Sequence, residues 1–96
     1  MNPKAYLEIT MKIDNSNREK AGKVYFDYRE PFLKETKGAL TKELLIRDED
    51  VQVIHGFDSV ENAKAYLESQ LFLKDLFVSL KPLWKDEPEV KIYSVA

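Results

Sequence analysis

The chain has no cysteine. That removes disulfide scaffolding, thiolate catalysis and cysteine-ligated metal together. It has one histidine, and a lone imidazole without thiolates makes a poor metal site. Its three glycines are too few for a loop that cradles phosphate, and no Ser-His-Asp order is present. It has little charge of either sign to spare: 15 Lys and Arg stand against 17 Asp and Glu, a formal balance of -2. Without a basic surplus to neutralise phosphates, nucleic acid is not an expected partner. No apolar run approaches the ~20 residues that span a bilayer, so no membrane is expected either. The opening Met1-Asn2-Pro3-Lys4 carries no apolar signal core. A cytoplasmic setting is the expectation. Low-complexity linkers and short repeats are also missing, and 96 residues suit a single domain with one modest core.

What is present is a clear order of segments. Ala5, Leu7, Ile9, Met11 and Ile13 alternate with Tyr6, Glu8, Thr10 and Lys12, the period of a strand with one buried side. The Asp14-Asn15-Ser16-Asn17 cluster follows, where Asn15 or Ser16 can cap a helix. Ala21, Val24, Tyr25, Tyr28 and Phe32 recur at helical spacing, and Gly38 is the natural left-handed stop. Pro31 sits inside this pattern and predicts a kink or break. A hairpin from Leu40 to Phe57 turns at Asp48-Glu49-Asp50, three carboxylates that read as a solvated turn and not as a metal cage. Its first strand places Leu40, Leu44 and Ile46 on one side and Thr41, Glu43, Leu45 and Arg47 on the other. Its second places Val51, Val53, His55 and Phe57 on one face and Gln52, Ile54 and Gly56 on the other. Asp58 or Ser59 then caps a second helical region. That region changes register near Ser69 to Phe72 and ends at about Lys81, before Pro82. A last strand covers Glu89 to Val95.

Strand, helix, strand, strand, helix, strand is the order of a ferredoxin-like βαββαβ unit, an α+β fold with a four-stranded antiparallel sheet. Two helices cover one sheet face only. The other face carries Tyr6, Leu45, Ile54 and either Val90 and Ile92 or Tyr93 and Val95. Each large apolar group left in water forgoes ~1.5–3 kcal/mol. A second copy of the same sheet, across a two-fold axis, is the simplest cover, and a homodimer is the expected assembly.

In this layout the chain resembles the dimeric α+β barrels, and more narrowly the antibiotic biosynthesis monooxygenase-like domains. Gly38-Ala39-Leu40 at the helix-to-strand junction carries the likeness, together with the stretch from Val51 to Ser69. There a strand ends in an aromatic residue, an acidic or serine cap follows, and a helix with small residues and a Leu comes next. Phe57 stands where the family commonly has Trp. The resemblance implies a dimeric α/β barrel and a cofactor-independent oxygenase acting on a phenolic or quinol-type aromatic, so no cofactor is expected. The haem-degrading branch implies an Asn on the first strand, a Trp ending the third and a His on the second helix. Here strand one has no Asn, the aromatic is Phe57, and Val60 to Lys81 contains no His.

His55 is the one side chain suited to take a proton from a phenol near neutral pH, creating the electron-rich anion that meets oxygen. Tyr25, Tyr28, Phe32, Phe57, Phe72, Phe77 and Trp84 can line a cavity between helices and sheet, or simply fill the core. His55 is therefore the candidate catalytic base. Tyr25, Tyr28, Phe32, Phe57 and Trp84 are the candidate binding residues for a small aromatic ligand. The alternative is a non-catalytic ligand-binding or interaction module of the same fold, and an isomerase- or decarboxylase-type activity is a further option.

Overall fold

A computed structural model describes residues 2–96, apart from the side chain of residue 75. Strand β1 (Ala5–Met11) leads through a 3₁₀ turn (Asn15–Asn17) into helix α1 (Arg18–Glu35). Strands β2 (Ala39–Ile46) and β3 (Val51–Phe57) form the hairpin. Helix α2 (Val60–Leu67), a wide π turn (Leu71–Leu76) and a short helix α3 (Phe77–Leu80) make the second helical region. Strand β4 (Glu89–Ser94) closes the chain. All pairings are antiparallel in the order β2-β3-β1-β4. This is the expected ferredoxin-like α+β architecture.

Register decides which side chains share a face. Leu7 pairs with His55, Ile9 with Val53 and Met11 with Val51. Across the sheet's other edges Ile92 stands opposite Leu7, and Lys42, Leu44 and Ile46 stand opposite His55, Val53 and Val51. These residues form rows on the helix-covered face, where the core lies. A bulge between Ala39 and Thr41 lets Ala39 and Lys42 share that face. The opposite face carries Tyr6 and Tyr93 as a direct cross-strand pair, with Leu45 and Ile54 further along. Glu8, Thr10, Gln52 and Lys91 lie between them, and Gln52 Nε2 donates to Thr10 Oγ1 at 2.9 Å.

Three local expectations are corrected. Pro31 does not break α1, which runs unbroken to Glu35. Proline removes a single amide donor, and the turn that contains it is held by Phe32, fully buried in the core. Neither Asn15 nor Ser16 caps α1, because both lie inside the preceding 3₁₀ turn. Strand β1 stops at Met11, and Ile13 makes only an isolated bridge to Trp84. The other two punctuations hold. Ser59 Oγ accepts from Asn62 N at 3.1 Å at the start of α2, and Gly38 takes φ 79°. Ser69 organises the register change: its hydroxyl donates to Tyr66 O and accepts from Phe72 N.

Candidate functional site

The site begins with the alternation of β3. Every second residue faces the helices, so His55 lies in the same layer as Val53 and Phe57 and is fully buried. Its Nδ1 lies 3.1 Å from the carbonyl oxygen of Leu7. A carbonyl only accepts, so Nδ1 carries the hydrogen and Nε2 presents a lone pair. Nε2 is buried without a partner among the described residues. Burial pushes the imidazole down to about 3, the neighbouring Lys42 charge adds to this, and the Leu7 carbonyl opposes it. His55 is thus a neutral hydrogen-bond acceptor across the physiological range.

Lys42 sits directly opposite His55 on β2 and is 2% exposed. Its Nζ also has no hydrogen-bond partner among the described residues. The ammonium lies 5.1 Å from the Phe32 ring centroid and 5.7 Å from that of Tyr25, within cation–π range. Burial, reinforced by the Arg29 charge, lowers its pKa to about 8. Tyr25 anchors the strand from above, its hydroxyl donating to Lys42 O at 2.9 Å. Tyr66 contributes a third buried, unpartnered polar atom, and burial pushes its hydroxyl up. A buried polar group without a partner is uncommon in a native fold and asks for an explanation. Here three such groups surround one ring: Phe32 lies 5.2 Å from His55 and 5.0 Å from Tyr66, in addition to its Lys42 contact.

Lys42 and His55 also border a cavity of about 290 Å³ between the sheet and the helices. Its floor is made by the sheet rows that contain Ile9, Met11, Leu44, Val51 and Val53. Tyr25 and Gly22 of α1 form one wall. Phe72 and Leu76 of the π turn, Leu80 of α3, and Trp84 form the other. The cavity is partly open: Ile46 and Val90 line it and are 66% and 44% exposed. Its surface is almost wholly apolar, which is the character of small-molecule sites with a few orienting polar groups. Arg18 is the other basic residue at its border. That guanidinium is committed to the carbonyls of Ile13, Arg47 and Asp48.

The aromatic residues named from sequence divide between wall and core. Tyr25 and Trp84 border the cavity, as do Phe72 and Phe77. Trp84 is fixed by its Nε1 donating to Met11 Sδ at 3.2 Å and by an edge contact to Phe77. Phe32 and Phe57 do not border it. They stack edge to face in the filled core at 5.5 Å, with Tyr66 against both. Tyr28 packs at the margin of that core, away from the cavity. Lys42 is the residue that sequence reasoning passed over. Its parity with Leu44 and Ile46 was the available signal, and a lysine at an inward position is the kind of mismatch that marks a site. Among the described residues no group of His, Asp and Glu could hold a metal ion. Nor is any helix among them long and apolar enough to cross a membrane.

No family model matches the chain, and no curated protein matches it in sequence. Solved structures match it closely in shape. A candidate antibiotic biosynthesis monooxygenase from Caulobacter crescentus superposes with TM-score 0.84 at 15% identity, covering 99% of this chain and 92% of that one. A conserved protein from Methanosarcina mazei gives 0.83 at 16% identity, covering 96% and 92%. A candidate antibiotic biosynthesis monooxygenase from Nitrosomonas europaea gives 0.80 at 12%, covering 99% and 93%. The chain has the antibiotic biosynthesis monooxygenase-like fold. At these identities the likeness is one of backbone path, and a fold of this kind hosts several chemistries.

Proposed function

We propose that this protein is a cofactor-independent, monooxygenase-like enzyme that binds a phenolic or quinol-type aromatic in the cavity between its sheet and helices. One observation carries the reading: an almost entirely apolar, partly open cavity lies between sheet and helices, and its lining includes Lys42 and His55, whose Nζ and Nε2 are buried without partners among the described residues. A planar ring suits the apolar walls. The names of neighbours from Caulobacter crescentus and Nitrosomonas europaea support the same reaction class. In this reading Tyr25 and Trp84 wall the ring. His55 is buried within the lining, and its Nε2 accepts from the ligand once the side chains that cover it are displaced. Phe32, Phe57 and Tyr28 act behind the wall, holding His55 and α1 in place.

The reading is tested by oxygen uptake. Purified protein with no added cofactor is given a panel of quinols and polyhydroxylated aromatics in an oxygen electrode. Protein-dependent uptake is expected for at least one member, falling about a hundredfold or more in His55→Phe, the lower end of what a positioned proton-handling group contributes. Binding of aromatics with no uptake would leave the second reading, a non-catalytic binding module. The depressed basicity of His55 is the observation that favours it, because so weak a base gains little from a phenol's proton.

The protein is further proposed to act as a homodimer through the open face of the sheet. Leu45 and Tyr93 on that face are 43% and 50% exposed, and Tyr6 and Ile54 adjoin them. The cytoplasm is the proposed setting.

A further inference from the structure

A ligand needs a way into the cavity, and the ties between α1 and the edge strand β2 mark where it lies. At one end Arg18 Nη1 and Nη2 donate to the carbonyls of Arg47 and Asp48, each at 2.8 Å. At the other end the Tyr25 hydroxyl donates to Lys42 O at 2.9 Å, and Arg29 Nε donates to the same oxygen at 3.4 Å. Between these ties β2 carries Leu44 and Ile46, and α1 carries Ala21 and Gly22; all four line the cavity. Ile46 is 66% exposed, so the cavity meets solvent at this edge. On the β4 side the chain after α3 is strapped to the end of β1. Trp84 bridges Ile13 and donates to Met11 Sδ, and Lys85 N donates to Lys12 O at 2.9 Å.

Gly22 has no local reason to be glycine. Within a helix the residue costs stability, because it gives up more chain freedom than any other. Its backbone does not take the left-handed conformation, which among the described residues belongs to Gly38. No neighbour approaches closely either, since a Cβ at Gly22 meets nothing within 4 Å. Neither backbone geometry nor packing calls for a missing side chain here, whereas an opening does. We infer that Gly22 keeps open a doorway between α1 and β2, through which the ligand enters and leaves the cavity. The ties from Arg18 and Tyr25 are its two posts, and Ile46 is its sill. A methyl group at position 22 leaves the passage clear. A side chain of leucine or phenylalanine size stands in it. This inference rests on the reading of the cavity as a ligand site, and adds the route of entry and the residue that controls it.

The test reads entry by stopped-flow fluorescence. Trp84, the one tryptophan of the chain, borders the cavity, so quenching of its emission reports arrival. The probe is 1-aminonaphthalene, whose absorption overlaps tryptophan emission. Its two fused rings suit about 290 Å³, roughly twice the volume of a cavity that accepts benzene. A side chain in a doorway raises the barrier in both directions, whereas one in a wall weakens the bound state. Gly22→Leu and Gly22→Phe are therefore expected to slow association and dissociation together, each by about tenfold, with Kd kept within about threefold of wild type. Gly22→Ala should change neither rate. From the other side, Ile46→Ala should speed both rates and Ile46→Trp should slow both. Ile46 lies outside the buried core, so this arm holds even if the fold rejects a bulky residue at position 22. Wild-type rates in Gly22→Phe and Ile46→Trp overturn the inference and leave the cavity reading intact. Faster dissociation with unchanged association in the Gly22 variants overturns it too, and makes Gly22 part of a wall. Slowing by Val90→Trp, with Gly22→Phe unaffected, puts the entrance at β4 instead. Wild-type protein that binds no probe removes the cavity reading, and the inference with it.

Discussion

Lys42 shows how one side chain can carry a structural burden that the rest of the fold tolerates. Its pKa drops from 10.5 in the open chain to about 8 when folded. Between those values the unfolded chain binds more protons than the folded one, so stability rises with pH through that window. Below it the full penalty is present. Replacement by methionine keeps the length and removes the charge. Lys42→Met is therefore expected to be more stable than wild type at neutral pH, by about 3–3.5 kcal/mol on the equivalence of one pKa unit to about 1.4 kcal/mol. That advantage should shrink steadily from pH 8 towards 10.5 in urea titrations of the two proteins side by side. A constant difference across that range would show that charge burial is not its source. A group kept at such a disadvantage, while a stable replacement is chemically simple, is what a functional site looks like in energetic terms.

At the scale of elements, two glycines show why the same residue type has different meanings. Gly22 lies within α1, and a Cβ placed there meets nothing within 4 Å. Gly22→Ala should stabilise the helix by about 0.5–1 kcal/mol. Gly38 ends the turn after α1 with φ 79°, and a Cβ there runs into the side chains of Asp58 and Asn62. Gly38→Ala should destabilise by at least about 1 kcal/mol. Thermal unfolding of the pair, measured under one condition, should move the two midpoints in opposite directions. The bulge in β2 and the π turn after α2 have a more direct bearing on the cavity. The bulge fits Ala39 and Lys42 onto the inward face, and the π turn supplies Phe72 and Leu76 to the wall. Wide turns of this kind recur near functional sites because they re-aim side chains inside a helix.

For the whole molecule, the open sheet face is the feature still to be explained. Tyr6, Ile54, Leu45 and Tyr93 are interspersed with Glu8, Thr10, Gln52 and Lys91, so the face is amphipathic and not uniformly oily. Helix packing leaves it uncovered. A second sheet laid across it would remove Leu45 and Tyr93 from water. Light scattering after size exclusion is expected to give twice the 11.2 kDa chain mass at micromolar concentration. The double substitution Leu45→Glu and Tyr93→Glu should shift the protein to monomer without unfolding it, since both residues lie outside the core. A wild-type monomer at that concentration would contradict the dimer.

Much of this molecule was legible along the chain. The period of two in Ala5 to Met11 and Val51 to Phe57, the helical spacing of Tyr25 and Phe32, the stop at Gly38 and the cap at Ser59 are local rules, satisfied by neighbours in sequence. They determined the element order, and with it the ferredoxin-like fold and the inward aim of His55. Pro31 was misjudged because its local penalty competes with burial of Phe32, which only the assembled core supplies. Which aromatics line a cavity and which fill the core was not legible, because Phe57 and Trp84 look alike in a pattern of apolar spacing. Tertiary packing alone decided that Phe32 and Phe57 close on Tyr66 while Tyr25 and Trp84 stand apart across an opening. It also decided that Lys42 and His55 meet. Pairing between strands converts two unremarkable positions into neighbours, and a helix layer then withdraws both from water, where Lys42 Nζ and His55 Nε2 have no hydrogen-bond partner among the described residues.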